Sequence, residues 1–140
     1  MRLSQDETRR RFATARVARL ATADAGGRPH LVPVTFALLR APDAIVFAVD
    51  HKPKRGTDLR RLRNIEVNPE VCFLVDHYQD DWSGLWWARA DGRATIRTDP
   101  AQRSATVEAL RAKYPQYAQR PPEGPVVLTE VTRWSGWAFS

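Results

Sequence analysis

The stretch VARLATADAGGRPHLVPVTFALL, residues 17–39, decides the fold. Val17 to Thr22 and Pro29 to Leu39 are rich in branched and apolar side chains that favour extended backbone. Between them, Asp24-Ala25-Gly26-Gly27 has the composition of a turn. The sequence therefore predicts a β-hairpin near the beginning of the chain.

The rest of the chain continues this pattern. Short apolar runs bounded by turn residues predict four more strands, Ala44 to Asp50, Glu70 to Tyr78, Leu85 to Arg97 (interrupted near Asp91-Gly92) and Val126 to Phe139. A chain of short strands avoids exposed edges by closing on itself. We therefore expect a mainly β (α+β) fold, a six-stranded antiparallel barrel with peripheral helices.

Three helices are predicted around the barrel. Ser4 and Glu7 form a capping box that starts a helix from Gln5 to Ala15, and Asp99-Pro100 starts another that ends before Pro115. Between these, Thr57 is predicted to cap a helix carrying Leu59, Leu62 and Ile65 that ends at Asn68-Pro69, while Pro115 to Pro125 is predicted to be a surface loop or lid.

Composition limits the class of protein. The 140 residues, 43% hydrophobic and 27% charged, predict one globular domain over 1–140. No apolar run has the length of a membrane span, and the first residues lack a signal-peptide pattern, so a cytoplasmic protein is expected. The lone Cys72 is predicted to be a core residue, and no motif for a metal site or a catalytic nucleophile is present.

The net charge of +6 is concentrated in one segment. His51 to Arg63 contains six Lys or Arg against the single acid Asp58. A strand end, a Lys-Pro-Lys-Arg-Gly loop and a helix start would bring ammonium groups, guanidinium groups and free backbone amides to one place, which suits a phosphate or another anion. A solvated arginine-rich helix face would have the same composition.

Aromatic and proline residues mark a second region. Trp86 and Trp87 must point to opposite faces of a strand, so that one enters the core while the other, with Trp82, is available for a planar ring, for core packing or for a subunit contact. The strand containing Pro29 and Pro33 is predicted to lie at a sheet edge or beside a ligand, because proline donates no ladder hydrogen bond.

Several of these segments together resemble a known family. ATADAGGRPHLVPV (21–34), HKPKR (51–55) and LRNIEVNP (62–69) are similar to the split β-barrel flavin and deazaflavin oxidoreductases related to pyridoxamine 5'-phosphate oxidase. VDHYQDDW (75–82), LWWARADG (85–92) and WSGW (134–137) resemble its actinobacterial branch, which uses the deazaflavin coenzyme F420.

The resemblance implies a homodimer of six-stranded barrels of the FMN-binding split-barrel type, with a cofactor in each of two clefts at the interface. The cofactor phosphate or acidic tail would be held by Lys52, Lys54 and Arg55, helped by Arg60, Arg61 and Asn64. The backbone of Pro33, Val34 and Thr35 would lie along the ring, with Trp82, Trp86 or Trp87 packed near it. Tyr78 and His30 are the candidate proton donors.

The expected activity is hydride transfer from reduced F420 to a small conjugated electron acceptor. The alternatives are an FMN-dependent oxidoreductase of the same fold and a non-enzymatic flavin- or deazaflavin-binding protein. Binding to nucleic acid is not expected, because the basic run and the tryptophans are separated along the chain instead of interleaved.

Overall fold

The computed structural model describes residues 1–49 and 59–140. Within them, seven strands form one sheet in the order β2-β1-β5-β6-β7-β4-β3, and every pairing is antiparallel. The strands are β1 Ala18–Ala23, β2 Pro29–Val34, β3 Ala37–Leu39, β4 Ala44–Ala48, β5 Glu70–His77, β6 Trp86–Arg97 and β7 Val126–Ala138.

The predicted barrel fold is confirmed, with one correction to the strand count. The strand expected from Pro29 to Leu39 is divided into β2 and β3, which lie at the two opposite edges of the sheet although only Thr35 and Phe36 separate them in sequence. Two residues span only about 7 Å. The two edges must therefore come together, and the sheet curls into a barrel that is split at this joint.

Local features of the strands agree with the sequence. In the β1–β2 turn the Asp24 carboxylate accepts hydrogen bonds from the amides of Gly26 (2.9 Å) and Arg28 (2.8 Å). β2 is an edge strand, as its prolines predict. The interruption predicted near Asp91-Gly92 is not a break in β6, which is continuous; the register shifts there because Thr132 of β7 has no residue opposite it. A Cβ on Gly92 would stand 2.4 Å from the Glu130 carbonyl oxygen.

The helices are α1 Gln5–Thr14, α2 Arg60–Val67, α3 Pro100–Lys113 and α4 Pro115–Gln119. Ser4 caps α1 and Asp99 caps α3, as predicted. The Glu7 carboxylate pairs with Arg10 and Arg11, and these ion pairs hold the pKa of Glu7 at about 2. α2 begins after Leu59, and its predicted cap Thr57 lies outside the described residues.

α4 is a correction, because a loop was predicted at that place. Pro115 is the first residue of α4, where the missing amide hydrogen costs nothing, so proline ends α3 and starts the next helix at once. None of the helices in residues 1–49 and 59–140 is long and apolar enough to cross a membrane.

The core fills the barrel. Phe12, Phe36, Phe47 and Phe73 are fully buried in it. Cys72 is a third correction: strand alternation turns Val71, Phe73 and Val75 inward, so Cys72 lies half-buried on the outer face of the sheet.

Candidate functional site

A cavity of about 230 Å³ lies at the joint between β2 and β3, and we call it the joint cavity. It is lined by Val17, Pro33, Val34, Thr35, Ala48 and Arg61. Four of the predicted cofactor residues, Pro33, Val34, Thr35 and Arg61, are therefore brought together here. The edge backbone of β2 and a guanidinium group share one recess.

The joint itself is held by Tyr114, the residue that ends α3. Its hydroxyl accepts a hydrogen bond from the Phe36 amide at 3.1 Å. The same hydroxyl has two carbonyl acceptors for its single proton, Arg16 O at 2.9 Å and Phe36 O at 3.0 Å. Beside it, the hydroxyls of Thr35 and Tyr117 lie 3.3 Å apart. These contacts fix the wall of the joint cavity from the α3 side.

The helix α2 places its arginines through a buried asparagine. Asn64 is only 4% exposed, and its Nδ2 donates to Thr22 Oγ1 of β1 at 3.0 Å. Leu62 and Ile65 pack into the core on the same side of the helix. Arg61 then lines the joint cavity while Arg60 stays exposed. The structure thus gives Asn64 an anchoring contact, and its predicted part in holding a phosphate remains a prediction.

The predicted phosphate-binding residues Lys52, Lys54 and Arg55 lie outside the described residues. Their segment is nevertheless delimited in the sequence by Ala48 and Arg61, and both of these line the joint cavity. Lys52 follows Ala48 by four residues, and Arg55 precedes Arg61 by six.

The two candidate proton donors occupy different places. His30 faces the barrel interior opposite Thr22, and its Nδ1 is buried without a hydrogen-bond partner among the described residues. Burial, followed by the charges of Arg60 and Arg61, lowers the pKa of His30 and so favours the neutral imidazole. Tyr78 is 63% exposed and lies just beyond β5. Neither residue lines the joint cavity.

Trp86 and Trp87 point to opposite faces, as predicted. Trp86 packs against the core, with the Arg11 guanidinium 5.0 Å from its ring centroid, whereas Trp87 lies on the outer face. Trp82, 66% exposed, belongs to the short 3₁₀ helix Trp82–Gly84. No tryptophan in the described part of the chain lines the joint cavity, so a single chain does not bring its indoles to that recess.

A larger and more apolar cavity of about 560 Å³ lies on the outer face of β1, β2, β5 and β6, and we call it the outer cavity. It contains Leu31, Cys72, Leu74, Tyr78 and Trp87, with Arg19, Asp76 and Arg89 among them. Only Tyr78 and Trp87 were predicted as site residues. Strand alternation could have identified the remaining residues, because it shows which side chains share the outward face of the sheet. Leu31 is the signal, since an apolar side chain on the outward face of an edge strand needs a covering layer.

The comparisons with known proteins place the chain in a family. The family model described as pyridoxamine 5'-phosphate oxidase matches residues 4–138. The chain belongs to this family. A search of curated proteins found no match.

Solved structures show the same fold. Rv2991, a conserved hypothetical protein from Mycobacterium tuberculosis, is 20% identical, with 97% of this chain and 85% of that chain covered and a TM-score of 0.77. The FAD binding protein from Mycobacterium smegmatis is 16% identical over 100% of both chains, with a TM-score of 0.72. HutZ, the heme storage protein from Vibrio cholerae, is 15% identical, covering 97% and 95%, with a TM-score of 0.69. At these identities the similarity establishes the split-barrel fold alone.

Proposed function

We propose that this member of the pyridoxamine 5'-phosphate oxidase family is an oxidoreductase that binds reduced coenzyme F420 and passes a hydride to a small conjugated acceptor. The observation that carries the proposal is the joint cavity, in which the edge of β2 and the Arg61 guanidinium lie together. Arg61 belongs to the most basic segment of the chain, His51 to Arg63, which we call the basic segment. Ala48, which also lines the cavity, precedes this segment by three residues. Such a recess suits a flat ring with an anionic tail.

The residues present fit this cofactor in two respects. The outer edge of β2 carries no paired strand within residues 1–49 and 59–140, so its backbone is available to the rim of a planar ring. Lys52, Lys54, Arg55 and Arg61 of the basic segment carry more positive charge than one phosphate requires. This surplus favours the longer acidic tail of F420 over FMN. The bound coenzyme would supply the hydride, and the protein would orient it and exclude water.

A homodimer is part of the proposal. Leu31 is 66% exposed on the outward face of an edge strand, next to the apolar outer cavity, and such a surface is typical of a subunit contact. Arg19 and Asp76 on the same face provide charges of both signs for a two-fold pairing. Trp82 of a second copy would then supply the aromatic contact to the ring. Light scattering should show twice the monomer mass, and Leu31→Lys should halve it.

Calorimetric titration with F420 tests the cofactor assignment. Neutralising Lys52, Lys54 and Arg55 together to Gln should weaken F420 binding by about 100-fold, if each cation contributes about 1 kcal/mol. The matched control neutralises Arg40, Arg111 and Arg120, which are exposed and do not line the joint cavity, and should change the affinity less than about threefold. Equal losses in the two triple variants would refute specific binding by the basic segment.

FMN is the second candidate cofactor, favoured by the similarity to a protein named for FAD binding. A protein that is purified yellow and keeps its flavin absorbance through dialysis would support this candidate. If neither F420 nor FMN binds at micromolar protein, the oxidoreductase proposal fails for both cofactors.

A further inference from the structure

We propose that the outer face of β6 and β7 carries a second ligand site, separate from the joint cavity, that binds a flat aromatic carboxylate. A cavity of about 520 Å³ lies there, and we call it the arginine cavity. The residues that the argument uses are Arg2, Trp87, Arg89, Arg133, Ser135 and Trp137. The arginine cavity shares no lining residue with the joint cavity, and it borders the outer cavity at Trp87 and Arg89.

Strand register builds this cavity. In the β6–β7 ladder Trp137 stands opposite Trp87, and Ser135 stands opposite Arg89. Directly opposed residues of an antiparallel pair project from the same face, so these side chains form two adjacent rows on the outer surface. Arg133 extends the same face on the next outward position of β7.

The first residues of the chain add the last wall. Arg2 forms an antiparallel bridge with Trp137, and the Leu3 amide donates to the Gly136 carbonyl at 2.9 Å. Gly136 permits this approach, because a Cβ there would stand 2.9 Å from Leu3 Cδ1 and 3.0 Å from the Trp87 carbonyl oxygen. The bridge therefore holds Arg2 beside the two indoles.

The charges of the cavity are unbalanced. Arg89 forms an ion pair with Asp91, with Arg89 Nε 3.3 Å from Asp91 Oδ1. Arg133 is opposite Asp91 in the ladder, but the Asp91 carboxylate is already paired with Arg89. Arg2 and Arg133 have no ion pair with any described residue. The Ser135 hydroxyl is buried without a hydrogen-bond partner in the same part of the chain. A buried hydroxyl and two unpaired guanidiniums form a donor set that an oxyanion would satisfy.

The tryptophans determine the rest of the ligand. Trp87 and Trp137 offer two adjacent indoles, and the Trp137 ring is already met edge-on by Phe139, with the centroids 6.4 Å apart. A ring system with a carboxylate can place its faces against the indoles while the arginines and Ser135 contact the acid. A neutral compound of the same shape would leave the guanidiniums unpaired.

Two probes of one shape test the proposal, 2-naphthoate and its neutral counterpart 2-naphthamide. Titration calorimetry of the full protein without cofactor should show naphthoate binding about tenfold more tightly than naphthamide, corresponding to one net charge-assisted hydrogen bond. Arg133→Gln should remove that tenfold preference and leave naphthamide unchanged. Arg120→Gln, an exposed arginine elsewhere with the same change of charge, should preserve it.

Three results would overturn the site. Equal affinity for the two probes would show that no anion is recognised, and equal effects of R133Q and R120Q would reduce the preference to the net charge of the protein. Competition between naphthoate and saturating F420 or FMN would show that the site is not separate from the cofactor. Urea unfolding midpoints of both variants should match that of the parent chain, because both arginines are exposed.

Discussion

Replacing Tyr114 by Phe tests the link between the barrel joint and the joint cavity. Tyr114 is 7% exposed, and its hydroxyl contacts the amide of Phe36, a residue that is fully buried. Tyr114→Phe keeps the ring and removes only the hydroxyl. The Phe36 amide then loses its acceptor at 3.1 Å inside the protein, and water cannot replace it without opening the joint.

The cost follows from that buried donor. Leaving a buried amide unsatisfied destabilises a protein by about 1–3 kcal/mol, so we expect the free energy of unfolding to fall by about 2 kcal/mol. For 140 residues the entropy of unfolding is about 0.3 kcal/mol/K, which converts the loss to a Tm decrease of about 7 °C. Loosening Thr35 and Phe36 should also weaken F420 binding, since Thr35 lines the joint cavity.

Urea unfolding followed by circular dichroism measures the change. Tyr78→Phe is the matched control, because it removes the same atom from an exposed tyrosine and should alter stability by less than about 0.5 kcal/mol. If Tyr114→Phe and Tyr78→Phe unfold at the same urea concentration, the hydroxyl does not hold the joint and the reasoning is wrong.

Two further predictions concern protons. The Lys113 ammonium is buried without a hydrogen-bond partner among the described residues, and burial, then the charge of Arg16, lowers its pKa to about 8. Between pH 8 and the ordinary value of 10.5, Lys113 holds a proton in the unfolded chain that it has released in the folded chain, so the free energy of unfolding should rise with pH. Lys113→Met should abolish this rise. A variant with the same pH dependence as the parent chain would contradict the prediction. The charges of Arg60 and Arg61 contribute to the lowered pKa of His30, so a bound phosphate that neutralises these arginines should raise that pKa. NMR titration of His30 with and without inorganic phosphate measures the direction of the change. If phosphate binds and the pKa of His30 does not change, the anion binds elsewhere.

The local signals in the sequence were reliable where one residue determines one piece of backbone. Ser4 and Asp99 cap helices and the Asp24 turn closes the hairpin, because each of these features depends on neighbours in sequence. The opposite orientations of Trp86 and Trp87 follow from strand geometry in the same way.

The features that were missed depend on contacts between distant residues. Nothing in the run from Pro29 to Leu39 shows that the chain leaves one sheet edge and joins the other, since that break is stabilised by Tyr114, 78 residues away from Phe36. Arg2 reaches Trp137 from the other end of the chain. The contact of Asn64 with Thr22, 42 residues away, was likewise not predicted, and the part of Asn64 in holding a phosphate remains a prediction.

The barrel joint and the candidate cofactor recess are therefore one physical feature. A continuous strand from Pro29 to Leu39 would pair along one edge only, leaving neither a closed barrel nor an end of β2 beside Ala48 and Arg61. The break at Thr35 and Phe36 closes the sheet, and it also places Thr35 in the wall of the recess that we propose for the cofactor. Because Tyr114 fixes that pair from α3, a change far from the basic segment should alter cofactor affinity through geometry, without altering the charge that attracts the cofactor.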